Sequence, residues 1–599
     1  MTAKNLLISF AASVAIIGGT GIEFYRGEST APDGAAHLKV LLDPIDIATQ
    51  MCGDATSDGY AQRRAPFMRL ARLHAEELPA GQPPLWANLG DVEMPVTTTS
   101  VEAQVYFNQG VRLANDFNHF EAIRSFRWAQ KLDPDCAMCY WAESLSLGPN
   151  INAPMDKAVV AQAVAALEKS VGLSATVSPK EKALIYALKS RYSSKDLSLR
   201  AQQDNAWAKA MNEVAQQFPQ DDNIQAMAAE AMMTAQAWDY WEVDSRTPKG
   251  RTETILDILE TVLTRSPDHA ATIHLYIHLT EASTNPFRAE EAADRLSKLA
   301  PAAGHLVHMP SHIYHRVGRY IDSYRLNIKA VKANEAYLTD ARAGTIYEYG
   351  YYTHNIHMGL LAAQYAGDAG EALRMAEKLD KKMPENMVSL APWVQAIKVA
   401  PYFAYVQFGA SERLLSLQKP GDEFPYLQAI WHYARGEALA AKGDHVAALK
   451  EAAAAEALSE HTTMIELNAN GMPAPTLALI AADVVRARVD IGQGKYPEAA
   501  TRLEEAAALQ DSLFYSEPVF WYFPVRQMLG AALLMNGDAH RAESVFIRAL
   551  VDVPNNGWAL YGLREAQLAM GNDAAAKYAD TLFRQAWVGD TDALSLESL

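Results

Sequence analysis

The sequence predicts an all-α solenoid of stacked helical hairpins, and three observations carry that expectation. A pattern of small and aromatic residues recurs with a period of about 34 residues. Hydrophobic residues make up 49% and charged residues 21% of the chain, the balance of a folded protein and not a disordered one. At 599 residues the chain is too long for one small core, so it is either several domains or a repeat array.

The first element is an apolar run of 17 residues, Leu6 to Ile22, preceded by Lys4 and followed by Glu23. That length is near the lower limit for a spanning helix and long for a signal-peptide core. An uncleaved transmembrane anchor is the first expectation for residues 1–24, a cleaved signal segment the second and a buried N-terminal helix the third. The flanking charges send the body of the chain outward, which for a bacterial source is the periplasm. Residues 25–100 contain LPAGQPPLW and MPVTTTS, which read as an extended, irregular region.

The repeats begin at residue 101. Numbering a 34-residue unit with Gly110 at position 8 puts Tyr106 at 4, Ala122 at 20, Phe126 at 24, Ala129 at 27 and Pro134 at 32. This is the tetratricopeptide pattern: two antiparallel helices, small residues where they cross, and proline at the exit. Gly530, Ala542, Phe546, Ala549 and Pro554 repeat it near the C-terminus. Gly318, Gly367, Gly443 and Gly494 mark units between, giving roughly eight to ten hairpins in all. Residues 101–385 are expected to form a solenoid with a histidine-rich groove, and 386–599 to form further, generic repeats. LGPNINAPMD (147–156) and WDYWEVDSRTPKG (238–250) interrupt the phase and read as functional loops or docked insertions.

The histidines take their meaning from this phase. In tetratricopeptide arrays positions 2, 5, 9 and 12 of the first helix face the concave groove. GHLVHMPSHIYHR places His305, His308, His312 and His315 at those four positions. The preceding unit places His274 at 5, His278 at 9 and Glu281 at 12, and the following unit places His354 at 2 and His357 at 5. One unit earlier, Glu230 falls at position 9. His274, His278, His308, His312, His354 and His357 are therefore the candidate metal ligands. The i, i+4 pairs 274/278 and 308/312 are chelating pairs. Glu230 and Glu281 are the candidate carboxylate ligands or bases. Imidazole suits copper, zinc or iron alike, and more than four candidates allow two ions. A metal-free histidine site and a purely structural stripe are the alternatives. His305 and His315, at the ends of the stripe, read as hydrogen-bonding or packing residues, and His119 as a turn residue outside the site.

Cys136 and Cys139 lack the histidine that haem attachment needs and the second CxxC that a zinc site needs. They read as helix-packing thiols, with a disulfide or metal role as the alternatives, and Cys52 is left over.

FNHFEAIRSF, DPDCAMCYW, LGPNINAPM, HLYIHLTEAS, GHLVHMPSHIY and THNIHM together resemble the motifs of a widespread group of bacterial tetratricopeptide-repeat proteins. The resemblance spans roughly residues 95–385. It implies the repeat fold and a single site containing the six candidate histidines. It assigns no reaction and names no substrate.

A net charge of −18 argues against nucleic acid as a partner. No Walker loop, G-x-S-x-G elbow or dinucleotide fingerprint occurs. The expectation is an exported, membrane-anchored solenoid with a transition-metal site, acting as a hydrolase or oxidase on a small molecule or peptide. The alternatives are a non-enzymatic adaptor with a protein or peptide partner in its groove, and a metal carrier or sensor.

Overall fold

The computed structural model describes residues 34–42, 81–242, 244–340, 347–388 and 394–599. The proposed anchor at 6–22 and Cys52 lie outside these residues. Among the described residues no helix is long and apolar enough to cross a membrane.

The described chain is helical throughout, and its extended pairing is an isolated bridge between Trp241 and Pro248. Consecutive helices pack as antiparallel hairpins, the arrangement of a tetratricopeptide-like solenoid. The phase residues explain the close packing. In the hairpin Val101–Asn115 with His119–Leu132, a side chain on Gly110 would collide with the Phe126 ring. In Val525–Met535 with Ala539–Asp552, Gly530 meets Phe546 in the same way. Aromatic position 24 thus fills the space that glycine at position 8 vacates. Turns between helices use glycine at φ of +71° to +82°, as at Gly494 and Gly537, where an L side chain is strained.

Two features differ from a simple array. The stripe 305–315 is not one unbroken helix: it divides into Gly304–His308 and Pro310–Arg316. Pro310 has no N–H to donate, and the His312 N–H bonds the Met309 carbonyl at 3.2 Å, one residue short of the α-helical register. Second, Gly34–Leu41, within the segment expected to be extended, is a helix packed on Asp573–Ala586.

The array also closes on itself. Trp558 donates from its indole to the Gln364 carbonyl at 2.8 Å, and the Val588 N–H bonds the Ala366 carbonyl at 3.0 Å. Gly318 lies against the Pro554 carbonyl, where a side chain could not fit. One buried cluster runs from Leu89 to Tyr351 and a second gathers Tyr320, Tyr352, Ile356 and the C-terminal hairpins. The histidines lie where the two meet.

Substituting Gly110→Val is expected to destabilise the fold by about 1–3 kcal/mol through overpacking against Phe126. Gly172→Ala, at a helix end with open space around it, should change stability by less than about 1 kcal/mol. Urea unfolding of the two variants against the parent checks both.

Candidate metal centre

The structure gathers six imidazoles into two triads. His274, His278 and His305 each bring a ring nitrogen within 4.8 Å of the others, and His308, His312 and His354 do the same. All but His354 are buried. The triads adjoin: the His278 and His312 rings are 5.9 Å apart, and those of His305 and His308 6.0 Å.

Acceptors placed behind the rings set their tautomers. His274 Nδ1 donates to the Asn115 carbonyl at 2.8 Å, and His278 Nδ1 to Glu281 Oε1 at 3.0 Å. His308 Nδ1 donates to Asn327 Oδ1 at 2.7 Å, and the Asn327 amide is itself oriented by donating to the Ser323 carbonyl. His312 Nδ1 sits between Glu517 Oε2 at 2.6 Å and Glu281 Oε2 at 2.5 Å. With Nδ1 carrying the proton, Nε2 of His274, His278 and His308 is left as a lone pair, whereas His312, between two carboxylates, also holds a proton on Nε2. His274 and His305 then meet Nε2 to Nε2 at 3.1 Å, His308 and His312 at 2.9 Å, and His312 and His354 at 3.4 Å. Two nitrogens on one tetrahedral ion, at bonds of about 2.0–2.1 Å, lie roughly 3.3 Å apart. Outer acceptors that fix a ligand's ring in this way are the usual second layer of a metal site.

Protons alone do not satisfy the first triad. His278 Nε2 and His305 Nδ1 are buried with no hydrogen-bond partner. Each such orphaned atom costs about 1–3 kcal/mol. Burial holds His274, His278, His305, His308 and His354 well below the ordinary imidazole range, with repulsion from neighbouring imidazoles adding to it. His312 differs. Burial opposes its charge, but Glu281 and Glu517 outweigh that and raise it to about 10. Glu281 spans the two triads, one oxygen on His278 and the other on His312.

Aromatic rings wall the first triad. Phe117 stacks on His278 and His305 at 5.8 and 5.3 Å, and Trp238 meets His278 edge-on at 5.4 Å. Both have a positive φ, +55° and +63°, which bulky residues rarely adopt. The first lies in the turn after Val101–Asn115. The second opens the WDYW insertion, which therefore contributes a wall of the site, while Trp241 anchors the insertion by donating to the Leu279 carbonyl at 2.8 Å.

Two sequence-based candidates stand apart. His357 bonds the Tyr522 hydroxyl and belongs to neither triad, because its helix turns that position toward the C-terminal cluster. Glu230 accepts from Thr234 at 2.8 Å and lines a separate cavity of about 110 Å³ with Arg191 and His274; burial raises its carboxyl. Equivalent repeat positions therefore do not meet at one point: His274 and His308 fall in different triads. His305, expected to hydrogen-bond or pack, bonds His274 and stacks on Phe117, and it is also a member of the first triad. His315 does pack, on Tyr320 and Tyr365, and burial lowers it to about 4. Tyr276, Tyr314 and Tyr352 bond Glu260, Asp294 and Glu335, while Tyr351 and Tyr515 line the site.

Sequence reasoning missed Glu517, Asn327, Asn115 and Phe117. Position 2 of the stripe was the available signal for His305. Glu517 carries no repeat phase, and its segment enters the site through closure of the coil. Cys136 and Cys139 are joined in a disulfide at the start of the helix Ala137–Ser146, so the expectation of packing thiols gives way to its stated alternative.

No protein-family model and no curated protein matches the chain. Among solved structures, the human IFIT1 dimer with m7Gppp-AAAA is 12% identical, with 75% of this chain and 89% of that chain covered at a TM-score of 0.29. Yeast Tom70 is 14% identical, covering 78% and 96% at 0.28. The P58(IPK) TPR domain is 12% identical, covering 79% and 99% at 0.18. The fold assignment rests on the hairpins described above.

Glu281→Gln keeps the side chain's shape but removes the carboxylate shared by His278 and His312. It is expected to weaken metal binding about 10- to 100-fold, measured by competition with a chromophoric chelator, with the overall helicity unchanged.

Proposed function

We propose that this protein is a metalloprotein whose solenoid holds transition-metal ions at the two histidine triads and uses them on a small molecule. The observation that carries the reading is the buried, partnerless His278 Nε2 beside the Nε2 atoms of His274 and His305. Imidazole ligands suit copper, zinc or iron. Three protein ligands leave a tetrahedral ion one open position, which chemistry requires and storage does not. The adjacency of the triads supports a two-ion centre, in which paired ions clamp or activate one bound group. Glu281 is then an orienting carboxylate and not the base. A hydrolase and an oxidase remain the two reaction classes within this reading.

The adaptor is the second reading. Hairpin arrays present long surfaces to protein partners. Val446, Leu449 and Ile465 are exposed apolar residues on neighbouring helices of the C-terminal hairpins. The histidine stripe itself is covered by residues 513–520, so an adaptor would use such outer surfaces instead. Export, with residues 6–22 as anchor or signal, belongs to the same proposal; the Cys136–Cys139 disulfide supports an oxidising compartment.

Elemental analysis of protein purified without an affinity tag tests the reading. It predicts at least one transition-metal ion per chain, a higher thermal midpoint when metal is added back to stripped protein, and loss of metal in a His274→Ala/His308→Ala double variant. Folded protein that takes up no metal and copurifies with one partner would favour the adaptor.

A further inference from the structure

We infer that the cavity beside the triads binds a small uncharged molecule with one polar group on an apolar body the size of a benzene ring. The inference rests on the triads being the reaction centre. The cavity has a volume of about 210 Å³. An engineered apolar cavity of about 150 Å³ is enough for benzene. One pole of the cavity is polar, built from His278, His312 and His354 with Glu281 and Glu517. Ile151, Trp238, Ile397, Val519, Phe514 and Phe520 make much of the remaining lining apolar, with Asn152, Tyr351, Tyr515 and Ser516 among them. A ligand filling it would place a single hydroxyl or amine against the histidines and bury everything else.

Charge decides between neutral and anionic ligands. Neither lysine nor arginine lines the cavity among the described residues, whereas both buried carboxylates do. The contrast lies across one segment. Residues 513–520 also line a neighbouring cleft of about 300 Å³, and there Arg316, Arg526 and Arg548 contribute to the lining. Basic residues face the outer cleft, and the inner cavity excludes them. An anion entering it would lose its hydration and find two carboxylates but no lysine or arginine in the lining.

Phenol and benzoate share a ring and differ in charge at neutral pH, so they separate the alternatives. Titration calorimetry on the full chain, with metal content measured on the same sample, is expected to show phenol binding at least about tenfold tighter than benzoate. Val519→Trp and Ile397→Phe each enlarge a side chain that lines the cavity. Each should abolish phenol binding while keeping metal content and thermal midpoint, and either one that folds suffices. Equal or tighter benzoate binding, no phenol binding to metal-loaded protein, or phenol binding unchanged in a folded filled variant overturns the inference. Selective phenol binding by a chain that takes up no metal would keep the cavity assignment and sink the metal reading.

Discussion

The structure turns on the hydrogen bond behind each imidazole. An uncharged ring has one nitrogen that donates and one that accepts. Asn115, Glu281, Asn327 and Glu517 take the donors of His274, His278, His308 and His312. The accepting nitrogens are then forced toward one another in a water-poor interior. Lone pairs aimed at lone pairs repel unless a proton or a cation lies between them. His278 Nε2 and His305 Nδ1 are left with no hydrogen-bond partner at all. A cation at a triad, as proposed above, would give the lone pairs facing it a partner.

That constraint also explains why distant parts of the chain are bound to each other. The acceptors come from the last residue of the helix Val101–Asn115, from the end of the helix Ala270–Thr280, from the helix Tyr320–Asp340 and from the segment before Val525–Met535. The C-terminal hairpins bring Glu517 to His312 and Tyr522 to His357. Closure of the coil and completion of the site are therefore one event. Phe117 and Trp238 keep strained backbones where they touch the first triad.

Much of this was legible in the sequence because repeats are local. Gly110 with Phe126 and Gly530 with Phe546 lie within single hairpins, so a fixed spacing reported their contact. The same phase put His305, His308 and His312 on one face and identified the i, i+4 pair His274/His278. It misled where it was treated as exact. Pro310 breaks the helical register, and rotation between successive hairpins divides equivalent positions between triads or, for His357, sends them elsewhere. Glu230 carried the right phase but sits one hairpin too far away. Glu517 was invisible for a different reason: it lies more than two hundred residues from its partner and reaches it through a loop with no period. Long-range closure of a coil leaves no local mark in the sequence.

Anomalous diffraction from crystals of the metal-loaded protein, recorded across the absorption edge of the bound metal, tests the account most directly. It predicts anomalous density among the Nε2 atoms of at least one triad, at about 2.0–2.2 Å from each, with the Nδ1 hydrogen bonds retained behind the rings. Metal-replete crystals with no density at either triad, or with metal bound only at the protein surface, would contradict it.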